Sequence, residues 1–249
     1  MVHQPLSVGQ YVQRMSSGEP PFEIELPTIT RIRFGPPKAM PENLFQVVAR
    51  RGDPWWDSAA EFVYDEYRRR GWCRSSATRR VPEHEPWADI SVFHLLVDTS
   101  EGIAGTLRTV IGRFDDLPIG SQYPRSSVWP PDLCCEFGAF VVAADAKKLQ
   151  ATSYLHRSAL EVGVKGGALS VVAVVETPLL RLLRDGYGFP FCQVGLAQDY
   201  MGAECIPIAT TYKDIAESIF RLDKEMYRWL FQVFSDDELV EYDFPIDLT

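Results

Sequence analysis

The chain has 249 residues, 46% of them hydrophobic and 24% charged, which is enough for one sizeable core and ordinary for a globular protein. A formal charge of −9 argues against nucleic acid or an anionic membrane as partner, and no apolar run reaches membrane-spanning length. Five cysteines with no CxxC and no Cys/His pairing at zinc spacing suggest no metal site; with an N-terminus lacking a basic segment followed by an apolar core, they imply reduced thiols in a cytoplasmic protein.

Residues 1–43 read as an N-terminal arm, either loose or with a short helix near Val8–Met15, and the weak alternation from Phe22 to Phe34 suggests an added strand. Leu44–Ala49 is a strand candidate. Asp57–Arg70 reads as a helix, with Ala60, Val63, Tyr64 and Tyr67 on one stripe, Asp57 as its cap and Gly71 as its end. Its three terminal arginines suit the helix dipole and solvent. Trp72 follows, then a polar loop from Cys73 to Ala88 with no clear element. Asp89–Val97 and Ile103–Ile111 form a strand hairpin, and Arg108 sits within its second strand, where a guanidinium needs a carboxylate, a phosphate or solvent. A Pro-rich loop over 114–131 contains Trp129.

Beyond the central stretch at 134–142, Leu149–Val162 has helical spacing. Ala168–Val175 is a β-branched run typical of a strand covered on both faces. Thr177-Pro178 opens a helix, with Thr177 as its cap. Phe189–Val194 and Cys205–Thr211 read as strands, and one long helix is expected over 213–233. Residues 236–249 form an acidic tail. This order fits an α/β (α+β) fold: a mixed, mostly antiparallel twisted sheet with helices on both faces, spanning residues 44–235.

The central stretch, Cys134-Cys135-Glu136-Phe137-Gly138-Ala139-Phe140-Val141-Val142, is apolar except for one carboxylate. An ionised Glu in a buried strand is costly unless paired, and a strand glycine often marks a bulge or a close approach to backbone. Glu136 and Gly138 therefore suggest a splayed strand where a ligand meets the main chain; the alternative is a core strand with Glu136 at its frayed start.

Taken together, these elements resemble the GNAT acyltransferase superfamily, and within it the acyl-homoserine lactone synthases and N-acyl amino acid synthases. Gly105-Thr106-Leu107-Arg108 is similar to their "GTLR" segment, and Glu136 to the Glu that opens their "E-x-S-R-x-x-V" strand. Helix 57–70 ending in Gly71-Trp72 resembles their mobile N-terminal segment, and Asp89 the last Asp of their acidic motif. Leu183-Arg184-Asp185-Gly186 with Gly195, Tyr200, Gly202 and Pro207 resembles a later pattern. Ala139 stands where the lactone synthases have Arg, which sets a homoserine lactone product in question. The segment Ala144 to Gln150 has no glycine-rich run for a CoA pyrophosphate.

The resemblance implies attack of an amine on a phosphopantetheine thioester, with splayed central strands holding the tether. No cofactor would be tightly bound; acyl carrier protein (favoured) or acyl-CoA would be co-substrate, and a small amino-acid-like amine the acceptor. The implied catalytic residues are Glu136 to orient or deprotonate the amine, Arg108 to pair with Glu136 or hold the acceptor's carboxylate, and Tyr200 or Tyr212 to protonate the thiolate. Phe137, Gly138, Phe140 and Val142 would line the tether, and Lys147 and Lys148 would meet its phosphate. Trp72, Asp89 and Arg108 would bind substrate. Two alternatives stay open: an acyl-CoA-dependent small-molecule N-acyltransferase, and a non-catalytic GNAT-fold protein that binds a ligand or partner.

Overall fold

The computed structural model describes residues 28–37, 39–123, 133–143 and 152–246. Strands β1 (Leu44–Arg50), β2 (Ser91–Asp98), β3 (Gly102–Arg113), β4 (Leu133–Val142), β5 (Ser170–Val175), β6 (Cys192–Gln193), β7 (Gln198–Tyr200) and β8 (Ala203–Thr211) form one sheet in the order β1-β2-β3-β4-β5-β8-β6, with β7 paired to β8. Only β4 and β5 run parallel to each other. The expected mixed, mostly antiparallel sheet is therefore present.

Helix α1 (Pro54–Arg70) covers one face of the sheet, and α2 (Thr152–Lys165) covers the other. The period-2 alternation of β2 decides which residues meet which helix. Phe93, Leu95 and Val97 pack with Trp56, Ala59 and Val63 of α1, whereas Leu96 packs with Leu155 and Ala159 of α2. All eight residues of β2 are buried, so the strand is central and covered on both sides. Truncating such a side chain, Leu95→Ala for example, costs about 2–5 kcal/mol.

Local signals explain the helix boundaries, with corrections. Helix α1 starts at Pro54, not Asp57; Asp53 is its N-cap, and Asp57 lies in the first turn and pairs with Arg80. Gly71 ends it as expected, at φ 77, a conformation that glycine adopts freely. The expected loop from Cys73 to Ala88 contains a 3-10 helix, Pro82–Ile90. Helix α3 (Thr177–Arg181) is capped from Glu176, so Thr177 is its first residue rather than its cap; it continues as a π-turn over Leu182–Gly186.

The single helix expected over 213–233 is two, α4 (Tyr212–Leu222) and α5 (Lys224–Phe231). Asp223 breaks it by taking an extended backbone (φ −157), and its side chain caps α5 by accepting from Met226 N–H at 2.9 Å. The strand expected over 189–194 shortens to β6. Residues 28–34 form no strand; Arg33 and Phe34 instead donate backbone N–H groups to Asp185 and Gly186. The short helix proposed at Val8–Met15 lies outside the described residues. The acidic stretch folds as α6 (Asp236–Glu241) behind a capping box at Ser235, and Phe244 packs on Phe231 at 5.2 Å between ring centroids. No helix among the described residues is long and apolar enough to cross a membrane.

Candidate active site

The site begins with a fault in β4. Between β3 and β4 the pairing moves from Thr106↔Val141 to Arg108↔Gly138, so three steps on β4 match two on β3. The extra residue is a bulge, and Ala139 takes φ 45. A left-handed alanine costs on the order of 1–2 kcal/mol, and Thr106 Oγ1 holds it by donating to Ala139 O at 2.8 Å. The bulge breaks the alternation: Phe137 and Phe140, three residues apart, both pack on the α2 side, while Ala139 and Val141 pack on the α1 side.

A bulge bends its strand. The β4–β5 ladder runs from Cys134↔Ser170 to Phe137↔Ala173 and ends there. Past that point the strands part around a cleft of about 450 Å³, well within the usual range for a small-molecule site. Its walls are Phe137, Gly138, Ala139, Phe140 and Val142 of β4 and Ala173, Val174 and Val175 of β5. Because both faces of the sheet contribute, the cleft passes through it. At the α1 side it meets Tyr67, Arg70, Trp72 and Tyr200; at the α2 side it meets Pro178, Leu179, Leu182, Leu183, Phe191 and His156. Arg184 of the expected Leu-Arg-Asp-Gly motif supports that end from behind, donating Nε to Phe191 O at 2.7 Å.

Arg108 and Glu136 lie beside the cleft on the α1 side rather than in its wall. Pairing of Arg108 with Gly138 and of Val110 with Glu136 places all four on one face. A Cβ at Gly138 would lie 3.6 Å from Arg108 Nη2, an ordinary van der Waals contact, so the guanidinium packs directly over this position. Arg108 is 3% exposed, and its Nε and Nη1 have no hydrogen-bond partner among the described residues. Burial lowers its pKa, opposed by the nearby Glu136, Tyr67 and Tyr200. It also walls a small second cavity of about 20 Å³ with Trp56, His84, Ser91 and Phe93.

Glu136 is 6% exposed and accepts Ile119 N–H at Oε2, at 2.8 Å. Burial pushes its pKa up to about 7, against the pull of that hydrogen bond and of Arg108. No ion pair within 4.0 Å joins Glu136 to Arg108 among the described residues. The loop that delivers Ile119 needs Gly120, because a Cβ there would lie 2.1 Å from Phe114 O.

Phe137, Gly138, Phe140, Val142, Trp72 and Tyr200 thus meet at one cleft, and Arg108 and Glu136 adjoin it. Asp89 does not: its carboxylate is 84% exposed and pairs with Arg51 at 2.9 Å, because the 3-10 helix carries it to the surface. The structure places it apart from the residues that line the cleft. Tyr212 is also excluded, being buried against Gly163 and Cys135 behind β4. Lys147 and Lys148 lie outside the described residues.

Tyr67, Arg70 and His156 also belong to the wall. Tyr67 ends the apolar stripe of α1, so its spacing looked like core; burial pushes its phenol up to about 12. Arg70 stacks on Trp72, 4.8 Å from its ring centroid. His156 carried no local signal. The basic end of α1 is largely neutralised by its own neighbours, since Arg69 and Arg70 pair with Glu66, Arg79 with Glu61 and Asp65, and Arg80 with Asp57. Among the described residues no group of His, Cys, Asp and Glu could hold a metal ion.

The fold of this chain is similar to that of solved acyl-homoserine lactone and N-acyl amino acid synthases. Three solved structures share it with this chain. They are FeeM, an N-acyl amino acid synthase from uncultured soil microbes (TM-score 0.55, 14% identity, covering 70% of this chain and 94% of that one); the acyl-homoserine lactone synthase LasI (0.55, 11%, 73% and 95%); and the CoA-dependent acyl-homoserine lactone synthase BjaI, with MTA (0.54, 15%, 80% and 89%). No family model matches the sequence, and no curated protein matches it.

Proposed function

We propose that this protein is an N-acyltransferase that moves an acyl group from a phosphopantetheine thioester to the amine of a small amino-acid-like acceptor. The cleft through the sheet at the end of the β4–β5 ladder carries the proposal. The tether would lie along β4 from Gly138 to Val142, pairing with main chain as an added strand does, and the acyl chain would enter the apolar α2 end.

Glu136 suits the role of base: with a pKa of about 7 it accepts a proton from the acceptor's ammonium near neutrality, directly or through water. The freed amine adds to the thioester carbon, the C–S bond breaks, and the thiolate takes a proton as the amide forms. Tyr67 and Tyr200 stay protonated because burial raises both phenols, so either can supply that proton. Arg108 supports a carboxylate-bearing acceptor, because its buried Nε and Nη1 lack partners among the described residues and a carboxylate oxygen could accept from one of them. Holding both reactants can remove roughly 7–11 kcal/mol of barrier.

Carrier protein is the favoured donor because residues 144–150 contain no glycine. The second reading, an acyl-CoA donor, draws on Arg70 stacked over Trp72 at the cleft, a cation and an indole suited to a phosphate and a base. Thiol release should be measured with acyl-carrier-protein and acyl-CoA thioesters against a panel of amino acids. Faster release with the carrier thioester, abolished by Glu136→Gln, is expected. Release from CoA alone would support the second reading. Binding without any release would make the protein a non-catalytic thioester binder.

A further inference from the structure

Glu176 is a carboxylate in the cleft wall that the proposed reaction leaves without a task. It follows β5 directly, and its carbonyl opens α3 by accepting Leu179 N–H at 3.0 Å and Leu180 N–H at 3.1 Å. Its side chain is half-buried and has no ion pair or hydrogen bond among the described residues. Among the described residues that line the cleft it is the one acid, and the one permanent cation, Arg70, is already engaged by Trp72 and Glu66.

The alternation of β5 fixes the face on which Glu176 stands. Val171, Ala173 and Val175 pack with Leu160 and Val164 of α2, whereas Val172 and Val174 pack with Val110 and Cys134 on the other side of the sheet. Glu136 is in step with Cys134, and it pairs with Val172 across the β4–β5 ladder. Glu176 keeps an extended backbone (φ −70, ψ 151), so it falls in step with Val172 and Val174 on the face of Glu136 and Arg108. Cys205, another wall residue, lies close to it: burial pushes that thiol up to about 11, and the charge of Glu176 adds to the effect. At about 3.3 Å per residue, the four steps from Val172 set Glu176 about 13 Å along the strand from Glu136.

We propose that Glu176 holds a second cation on the acceptor, so that the protein prefers a basic amino acid, lysine- or ornithine-like, over neutral and acidic ones. The two nitrogens of such an acceptor lie roughly 6–8 Å apart when its chain is extended, and a charged hydrogen bond of about 2.8 Å at each end brings the span to roughly 12–14 Å. That matches the separation of the two carboxylates along the sheet. The α-amine gives its proton to Glu136 and is acylated, the α-carboxylate meets Arg108, and the side-chain cation keeps its charge against Glu176. Glu176 takes no proton and forms no covalent bond; it is a positioning and selecting group. An acidic acceptor would place like charges together, which discriminates against it. The inference rests on reading Glu136 and Arg108 as the acceptor site.

The test is steady-state kinetics of the full chain with one acyl thioester and four acceptors: ornithine, lysine, glutamate and norleucine, the last being lysine without its side-chain cation. Lysine or ornithine should exceed norleucine in kcat/KM by about tenfold, with the difference carried by the acceptor KM. That ratio should fall toward one in Glu176→Gln, and Glu176→Lys should shift the preference toward glutamate, with thermal melting confirming that both variants fold. Equal use of lysine, ornithine and norleucine by the wild type, or a ratio unchanged in Glu176→Gln, would overturn the inference and leave N-acyl transfer standing. Turnover of none of the four while other amino acids are acylated would do the same. No acylation of any amino acid would overturn both readings.

Discussion

His94 and His156 are both buried, and burial pushes each imidazole down to about 3. Their surroundings differ. His94 meets Ser158 Oγ at 2.7 Å through Nδ1 and Thr109 Oγ1 at 3.1 Å through Nε2, between strands and helix that pack continuously. His156 has an unpartnered Nδ1 at the rim of a cleft. Arg108 repeats the pattern of His156: it is buried, with two of its guanidinium nitrogens unmatched. His94 on β2 is satisfied on both ring nitrogens and belongs to the architecture; near the β4–β5 splay His156 Nδ1 and Arg108 Nε and Nη1 have no partners among the described residues. Equal burial therefore does not mean equal role, and the presence of partners distinguishes these side chains.

The largest effect should come from Glu136→Gln. Loss of a positioned base lowers turnover on the order of 10²–10⁴-fold. In the wild type, activity should rise with pH through about 7 and then level, as the base form of Glu136 fills; steady-state rates against pH would show whether the variant loses that limb. A rate profile flat from pH 5 to 9 in the wild type, on a scale of about 10 in each rate, would remove Glu136 from the mechanism.

Next comes Arg108→Lys, which should raise the KM for a carboxylate-bearing acceptor by roughly 10–100-fold, matching a charged hydrogen-bond loss of about 1.5–3 kcal/mol. The KM for the thioester should move much less.

The comparison itself is tested by stability. His94→Phe strands Ser158 and leaves Thr109 Oγ1 only its contact to Val92 O, and should lower unfolding free energy by about 1–3 kcal/mol in denaturant melts. Arg108→Met removes an unmatched buried cation and should not lower it. If both variants lose equally, the distinction between the two regions fails.

The last effect is a slope. The folded pKa of Glu136 is raised from 4.5 to about 7, so the folded state binds more protons than the unfolded one between those values. This contribution therefore falls as pH rises through that window, by at most about 1.4 kcal/mol per unit, and is flat above it. Melts of Glu136→Gln against wild type across pH 4.5–7 would isolate it.

Much of this was legible along the chain. The valine-rich run of Ser170–Val175 could hardly be anything but a doubly covered strand, and Gly71 after three arginines marked a helix end. Glu136 and Gly138 in an apolar strand pointed to the place where a ligand meets backbone, because a carboxylate and a missing side chain are both expensive in a closed core. Asp89 misled, because its motif neighbours gave no sign that a 3-10 helix would turn it to solvent. The split at Asp223 was hidden by a hydrophobic stripe that continues in register across the break.

By itself the sequence determined where strands and helices form and which stretch is anomalous, since periodicity, turn residues and charge burial act over a few neighbouring residues. Only the tertiary structure decided that Tyr67 is a wall and not a core residue, that Ile119 reaches Glu136, and that His156 stands without a partner in the cleft. Those facts depend on the bulge at Ala139 and on which elements pack against it, and contacts between residues far apart in the chain leave no periodic trace in it.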